Sequence, residues 1–451
     1  MSCYAPLWFK ADYKKYPRAY TREGKPLEIA SAFSENVFQA DNKAFTTWLR
    51  HIAEADRDFG TVIMIQIENE IGMLEDARDH SRTAERLFRS EVPSELTDYL
   101  CANRAELHPY MSGKWEENGA KTVGSWENVF GEGIYTDEIF MAWHYASYVE
   151  RMARSAREIY DVPLFVNAAM NSRGRRPGEY PSAGPLAHLI DVWHCAAPSV
   201  DFIAPDLYDD GFKGWAAQYH LHNNPLFIPE IRHTQNNGVR AFYVFGEHNA
   251  LGFSPFAIED GSDEQGTPFV EGYEKLREIM PLVTGWQGKD AMWGLLFDQN
   301  DKERIIEDGS LVLTCRHNFT LPWDPRATDG SVWPEGGGII IRIAENEYIV
   351  AGNGIVVEFA TASEKAFGKA AESLGEDGFA SAGSKGTGTP GRKAWKGTRC
   401  GIGSVDEVKV NADGSFSYIR RLNGDQDHQG RHVRISVGDY KTLYVRLYEY
   451  Q

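Results

Sequence analysis

Two short segments carry side chains whose types and spacing could do chemistry together. Gln66-Ile67-Glu68-Asn69-Glu70 closes the almost continuously apolar run Thr61 to Ile67, and Phe227-Ile228-Pro229-Glu230-Ile231-Arg232 closes a second such run. A continuous β-branched run is how a strand covered on both faces of a parallel sheet reads. The C-terminal ends of such strands form the catalytic face of α/β barrels. Two carboxyl groups facing one pocket, Glu70 and Glu230, are the equipment for glycoside hydrolysis. One protonates the departing oxygen, and the other attacks the anomeric carbon or activates water. Asn69, directly before Glu70, can contact a sugar 2-hydroxyl, whose hydrogen bonds tighten in an oxocarbenium-like transition state. Tyr208 ends the intervening segment DFIAPDLY, from which its hydroxyl could orient the second carboxylate. Asn171, Asp206, Glu247 and Trp193 lie near other expected strand ends and are further candidates to line a sugar pocket.

The elements that must position these groups alternate between helix and strand as far as about residue 285. Phe45, Trp48, Leu49, Ile52 and Ala53 repeat at helical spacing, with Asp41 as the expected N-cap and Gly60 as the stop. A helix over 137–160 leads into a strand over 162–166. Short helices over 186–193 and 215–221 precede strands over 200–204 and 225–228. Val239 to Phe245 reads as a fifth buried strand. Right-handed crossovers of this kind build an open doubly wound sheet or a (β/α)8 barrel. A long insertion rich in charge and tryptophan (Trp115, Trp126) separates the first strand from the 137–160 helix, where barrels place substrate-binding elements.

After a helix carrying Tyr273, Leu276, Ile279 and Val283, the texture changes to short alternating strands. They are expected over 338–343, 348–359, 416–421, 433–437 and 442–448, with Asn353-Gly354 and Asp413-Gly414 as hairpin turns. The reading is a C-terminal β-sandwich, in which Gly375 to Gly397 forms a Gly- and Ser-rich surface loop. The expected domains are a catalytic barrel over 1–288 and the sandwich over 289–451.

Composition narrows the function classes. The 451 residues carry 65 Asp plus Glu against 47 Lys plus Arg, a formal charge of −18. Nucleic acid and an anionic membrane surface are therefore not expected partners, because either would repel an acidic surface. The five cysteines, Cys3, Cys101, Cys195, Cys315 and Cys400, are scattered, with no CxxC pair, so neither a disulfide framework nor a zinc ribbon is suggested. No HExxH accompanies His220-x-His222, and Gly336-Gly337-Gly338 precedes a strand instead of following one, so neither a metal nor a phosphate-bearing cofactor is expected. Asn318-Phe319-Thr320 matches a glycosylation sequon, a triplet that arises often by chance. No apolar run approaches the ~18 residues of a membrane span, and the first thirty residues do not read as a signal peptide.

The segment IQIENEIG resembles the acid/base signature of glycoside hydrolase family 35, the β-galactosidases of clan A. The family's usual form is a Gln, an aliphatic residue, Glu-Asn-Glu, an aromatic and Gly. Here Ile71 replaces the aromatic, which puts one subsite contact in question. The resemblance covers about residues 1 to 285, and the C-terminal part resembles the β-sandwich appended to a bacterial subgroup. It implies a retaining double displacement on terminal β-D-galactosyl residues, with Glu70 as acid/base, Asn69 as its sugar-binding neighbour, Glu230 as nucleophile and carbohydrate as the partner. It also implies carboxyl groups about 5 to 5.5 Å apart. In clan A the acid/base closes the fourth barrel strand and the nucleophile the seventh, an interval that Ile67, Val166, Ala204 and Glu230 reproduce. The fold expected is thus a (β/α)8 barrel lacking its first three strands, because residues 1–60 are too few and too polar to supply them. Met1 to Trp8 resembles the loop after the third strand, as in a fragment or a misplaced start. Compartment is then unreadable, periplasmic or secreted if a signal peptide precedes Met1, and oligomeric state is not legible. The alternatives are another clan A β-glycosidase specificity or a catalytically silent carbohydrate-binding remnant.

Overall fold

The computed structural model describes residues 4–171, 174–221, 223–258, 263–367 and 397–451. His222 and all but the end of the expected Gly375–Gly397 loop lie outside the described residues. The chain forms two compact units, Met1–Ile231 and Arg232–Gln451.

The first unit is built on a parallel half-barrel sheet. Strands Ile65–Gln66, Leu164–Ala168, Phe202–Leu207 and Phe227–Ile231 are neighbours in that order, each parallel to the next. A closed barrel is not formed among the described residues. Before Ile65 the described strands are Arg18–Tyr20 and Pro26–Ala30, an antiparallel pair in a separate sheet. Each parallel strand needs its own crossover, and the long helix Ile134–Arg157 supplies one, burying Ile139, Tyr145, Val149, Met152 and Ala156 along one stripe. Inside the sheet Phe165 stacks on Phe202 at 5.3 Å between ring centroids, and Phe227 meets Phe165 edge-on at 5.2 Å. Such aromatic pairs add to plain area burial.

Two expectations for this unit need correction. The helix carrying Trp48 and Leu49 spans Glu35–Ala55 and is capped by Ser34, whose Oγ accepts from the Val37 N–H at 3.4 Å. Asp41 therefore lies inside the helix, where its carboxylate accepts a hydrogen bond from the Tyr148 hydroxyl at 2.7 Å. The period was legible, but Val37 and Phe38 already belong to the buried face. The apolar run Thr61 to Ile67 contributes only Ile65–Gln66 to the ladder, and Ile63 is 70% exposed. A run apolar enough for a buried strand here meets a neighbour on one side over two residues only.

Asn224 shows how a single amide replaces a missing ladder. The third and fourth strands pair only through Asp206 with Glu230 and Leu207 with Ile231. Further back along the third strand, Asn224 Oδ1 accepts from the Ile203 N–H at 2.8 Å, while its Nδ2 donates to the carbonyls of Ile203 at 3.0 Å and Tyr219 at 2.7 Å. The side chain is fully buried, so removing it strands backbone groups away from water. Asn224→Ala should cost about 3 kcal/mol, read as roughly 100-fold faster native-state hydrogen exchange at the Ile203 amide. An unchanged exchange rate would mean that water substitutes for the amide.

In the second unit the segment Val239–Phe245, expected as a strand, belongs to the helix Asn237–His248. Val239, Ala241, Phe242, Tyr243 and Val244 are all buried and only Arg240 interrupts them, so a window this short does not reveal the 3.6-residue period. A buried helix and a buried strand then read alike. Gly246 lets it approach the strand Met292–Phe297, since a Cβ there would lie 2.9 Å from Gly294 Cα. A second helix spans Asp263–Trp286.

From Met292 onward two antiparallel sheets face each other. One is ordered Val433–Ile435, Ile355–Thr361, Leu311–His317, Glu303–Asp308, and the other Phe416–Leu422, Arg399–Val410, Lys441–Tyr450, Glu347–Asn353, Gly336–Ala344, Met292–Phe297. Leu313, Val357 and Ile435 of the first pack with Leu295, Ile340, Val350 and Val445 of the second in one core. Asp413-Gly414 turns between the paired strands Arg399–Val410 and Phe416–Leu422, as expected. Asn353-Gly354 does not make a hairpin. It is a corner that passes the chain from one sheet to the other, Glu347–Asn353 pairing with Gly336–Ala344 and Ile355–Thr361 with Leu311–His317. Asn-Gly supplies positive φ in either context, with Gly354 at 71°.

Candidate active site

Three of the four parallel strand ends bring carboxyl groups together within the first unit. Glu70 follows the first strand, Asp206 lies near the end of the third, and Glu230 lies in the fourth as the register partner of Asp206. Asp206 is fully buried, while Glu70 and Glu230 are half-buried. Tyr208, two residues beyond Asp206 and on the same side of the chain, donates its hydroxyl to Glu230 Oε2 at 2.8 Å.

Asn167, near the end of the second strand, ties the cluster together. Its Oδ1 accepts from the Glu70 N–H at 2.9 Å, and its Nδ2 donates to Asn69 Oδ1 at 3.1 Å and Asp206 Oδ2 at 2.7 Å. Gln66 Nε2 donates to the same Asn69 oxygen at 3.0 Å. Asn69 thus uses its oxygen inward. Glu68 and Glu70 hold left-handed backbone, at φ 59° and 48°, a conformation that non-glycine residues enter at a cost.

The environments of the carboxyl groups differ. Burial raises Glu70 above the ordinary carboxylate range, a hydrogen bond with Asp206 pulls it back, and the charge of Glu230 pushes it up again. Burial, then Glu230 and Glu70, push Asp206 up to about 9. Burial and the neighbouring Asp41 push Glu68 up to about 8. Crowded carboxyls in low dielectric keep their protons, because each added charge is both poorly solvated and repelled.

The loop after Glu70 is clamped from a second direction. Met73 and Ser182 exchange backbone hydrogen bonds at 2.7 Å each, and Gly184 admits the Ile71 carbonyl so closely that a Cβ would sit 2.3 Å from it. Glu138, fully buried in the Ile134–Arg157 helix, accepts from Tyr180 Oη at 2.9 Å and the Ala183 N–H at 3.2 Å, and lies 3.0 Å from His188 Nε2.

The remaining sequence candidates have the following surroundings. Asn171, in the loop after the second strand, approaches His188 Nδ1 at 3.4 Å. Trp193 is on the short helix Ile190–Ala196, 1% exposed, donating to the Ala183 carbonyl. Glu247 belongs to the second unit, where it accepts from Arg304 at 2.5 Å. Asp206 has no exposed surface, so it lies under the site instead of lining a sugar pocket. Asn167 and Glu138 escaped the sequence reading. Their signal was a polar residue inside an otherwise apolar run, FVNA in one case and the buried stripe of a helix in the other.

Among the described residues no group of three or more His, Cys, Asp or Glu could hold a metal ion, and no helix is long and apolar enough to cross a membrane. Cys101, Cys195, Cys315 and Cys400 form no disulfide among the described residues.

Comparison with known proteins gives a family model described as a domain of unknown function, DUF5597, matching residues 269–434. No curated protein matches the chain significantly. Similar solved structures are glycosidases. A β-galactosidase from the psychrophilic Marinomonas ef1 is 11% identical over 62% of this chain and 48% of its own, with a TM-score of 0.38. A β-galactosidase from Bacillus circulans sp. alkalophilus is 13% identical over 61% of this chain and 45% of its own, at 0.38. A β-mannanase from the blue mussel Mytilus edulis is 14% identical over 54% of this chain and 64% of its own, at 0.30. The chain spans less than two thirds of the length of each of these structures.

Proposed function

We propose that the first unit carries the site of a retaining β-glycosidase that releases terminal β-D-galactosyl residues. The observation that carries this reading is the pairing of two half-buried glutamates at parallel strand ends in unlike environments. Burial raises the Glu70 carboxyl above the ordinary carboxylate range, and Glu230 accepts from the Tyr208 hydroxyl. Carboxyls in unlike surroundings can divide into acid and nucleophile.

In the first half-reaction Glu70 gives its proton to the departing glycosidic oxygen as the Glu230 carboxylate bonds to the anomeric carbon. In the second, Glu70 takes a proton from water, the water oxygen bonds to the anomeric carbon, and Glu230 leaves as carboxylate. Asn69 supplies its NH2 to a sugar hydroxyl near the reacting centre. Galactosyl preference rests on the IQIENEIG resemblance, and the glucosyl and mannosyl alternatives are settled by assay.

The test is hydrolysis of aryl β-galactosides, β-glucosides and β-mannosides by the 451-residue chain, with proton NMR of the first sugar released. The expected product keeps the β configuration. An α product would replace double displacement by a single inversion, and no turnover on any of them would favour a silent carbohydrate-binding protein. The pH dependence follows from Glu70. Because its folded carboxyl is raised, the protonated acid persists above the ordinary carboxylate range. The basic limb of kcat/KM should therefore fall on the alkaline side of that range, and a limb at an ordinary carboxylate pH would deny Glu70 the role.

A further inference from the structure

The third carboxyl of the cluster has no part in the two half-reactions, yet it is the most deeply buried of the three. We propose that Asp206 is a positioning residue that keeps its proton throughout the cycle and donates it to Glu70, so that the three carboxyls share one negative charge at every stage. This rests on the retaining-glycosidase reading.

The geometry is specific. Asp206 Oδ2 accepts from Asn167 Nδ2 at 2.7 Å, and Oδ1 has no N–H or hydroxyl donor among the described residues while the side chain hydrogen-bonds Glu70. Two ionised carboxylates have no hydrogen between them, so that contact is a hydrogen bond only when one partner is an acid. The groups facing Asp206 are Glu70 from the loop after the first strand, Glu230 from the fourth strand, Tyr208 just past the end of its own strand, Tyr219 from the helix Phe212–Tyr219 and the neutral Asn167 amide. Complete burial favours the neutral form at Asp206 over the half-buried Glu70.

At rest Glu70 and Asp206 are acids and Glu230 carries the charge. When Glu70 passes its proton to the leaving oxygen and Glu230 becomes an ester, the single charge moves to Glu70. The Asp206 O–H then donates to a carboxylate instead of a neutral acid. A hydrogen bond that strengthens as charge develops stabilises the transition state more than the bound substrate. Water returns a proton to Glu70 and a hydroxyl to the anomeric carbon, Glu230 leaves as carboxylate, and the proton of Asp206 never departs.

The variants are Asp206→Leu, which removes the donor, and Asp206→Asn, which can accept from Asn167 through its oxygen and donate to Glu70 through its NH2. With a poor leaving group, Asp206→Leu should lower kcat about 10- to 100-fold with KM little changed, and move the basic limb of kcat/KM up by about one pH unit. Asp206→Asn should lose less than about tenfold and keep the limb within a few tenths of a unit. An unmoved limb in Asp206→Leu, or an equal collapse in both variants, overturns the proposal. Infrared difference spectra of wild type against Asp206→Asn at neutral pH serve if the leucine variant does not fold. A protonated-carboxyl stretch present only in the wild type supports the proposal, and carboxylate bands alone overturn it. That spectrum needs no turnover, so a protonated Asp206 in a protein that hydrolyses no glycoside would retire the glycosidase reading and leave the proton where it is placed here.

Discussion

Glu230→Gln should abolish turnover on every substrate, by about 10⁴-fold or more, because an amide can neither form nor leave as the glycosyl ester. The fold should survive the change. Gln keeps the shape of the side chain and an oxygen that can accept from the Tyr208 hydroxyl, now held at 2.8 Å. Leaving-group activation should not help, since the missing step is bond formation at the anomeric carbon. The measurement is single-turnover hydrolysis of aryl β-galactosides across a range of leaving groups. Residual activity that rises with leaving-group acidity would move the nucleophile away from Glu230.

Glu70→Ala should separate the two half-reactions. Substrates whose aryloxide leaves without a proton should lose little in the first step, whereas alkyl galactosides should lose about 10²- to 10⁴-fold. The second step then stalls for want of a base, and azide should restore it by attacking the glycosyl-enzyme without proton removal, giving a β-glycosyl azide. Equal losses on all leaving groups, with azide inert, would make Glu70 a structural residue. The predicted split depends on Glu70 holding its proton, toward which its burial and the nearby Glu230 charge push it against the Asp206 hydrogen bond.

Much of the parallel sheet was legible because its strands are short apolar runs bounded by helices with a visible polar face. Leu164–Ala168 and Phe202–Leu207 are buried along their whole length, and a continuous run reports that directly. The same rule failed at Val239–Phe245, where one polar residue, Arg240, in seven was too little to show the helical period. It failed again at Asn353-Gly354, where the residues announce a turn and cannot announce which sheet the next strand joins. Glu70, Asn69 and Glu230 could be named as candidates because the proposed chemistry restricts the residue types that could carry it. Asn167 and Glu138 could not, because their role is a matter of which loop lies against which, Asn167 against the Glu70 amide and Glu138 against Ala183. A local pattern does not say which partner, 97 or 45 positions away, such a residue will meet.

The left-handed backbone at Glu68 and Glu70 has a bearing on any effort to improve this protein. Each such residue costs of order 1–3 kcal/mol that glycine, and in part asparagine, would not. A library sorted only for heat resistance therefore drifts toward glycine at the two positions that hold the motif's carboxyls. Selection for durability alone would remove first the carboxyls to which the proposed chemistry is assigned, and a screen that also scores turnover is the one that would keep them.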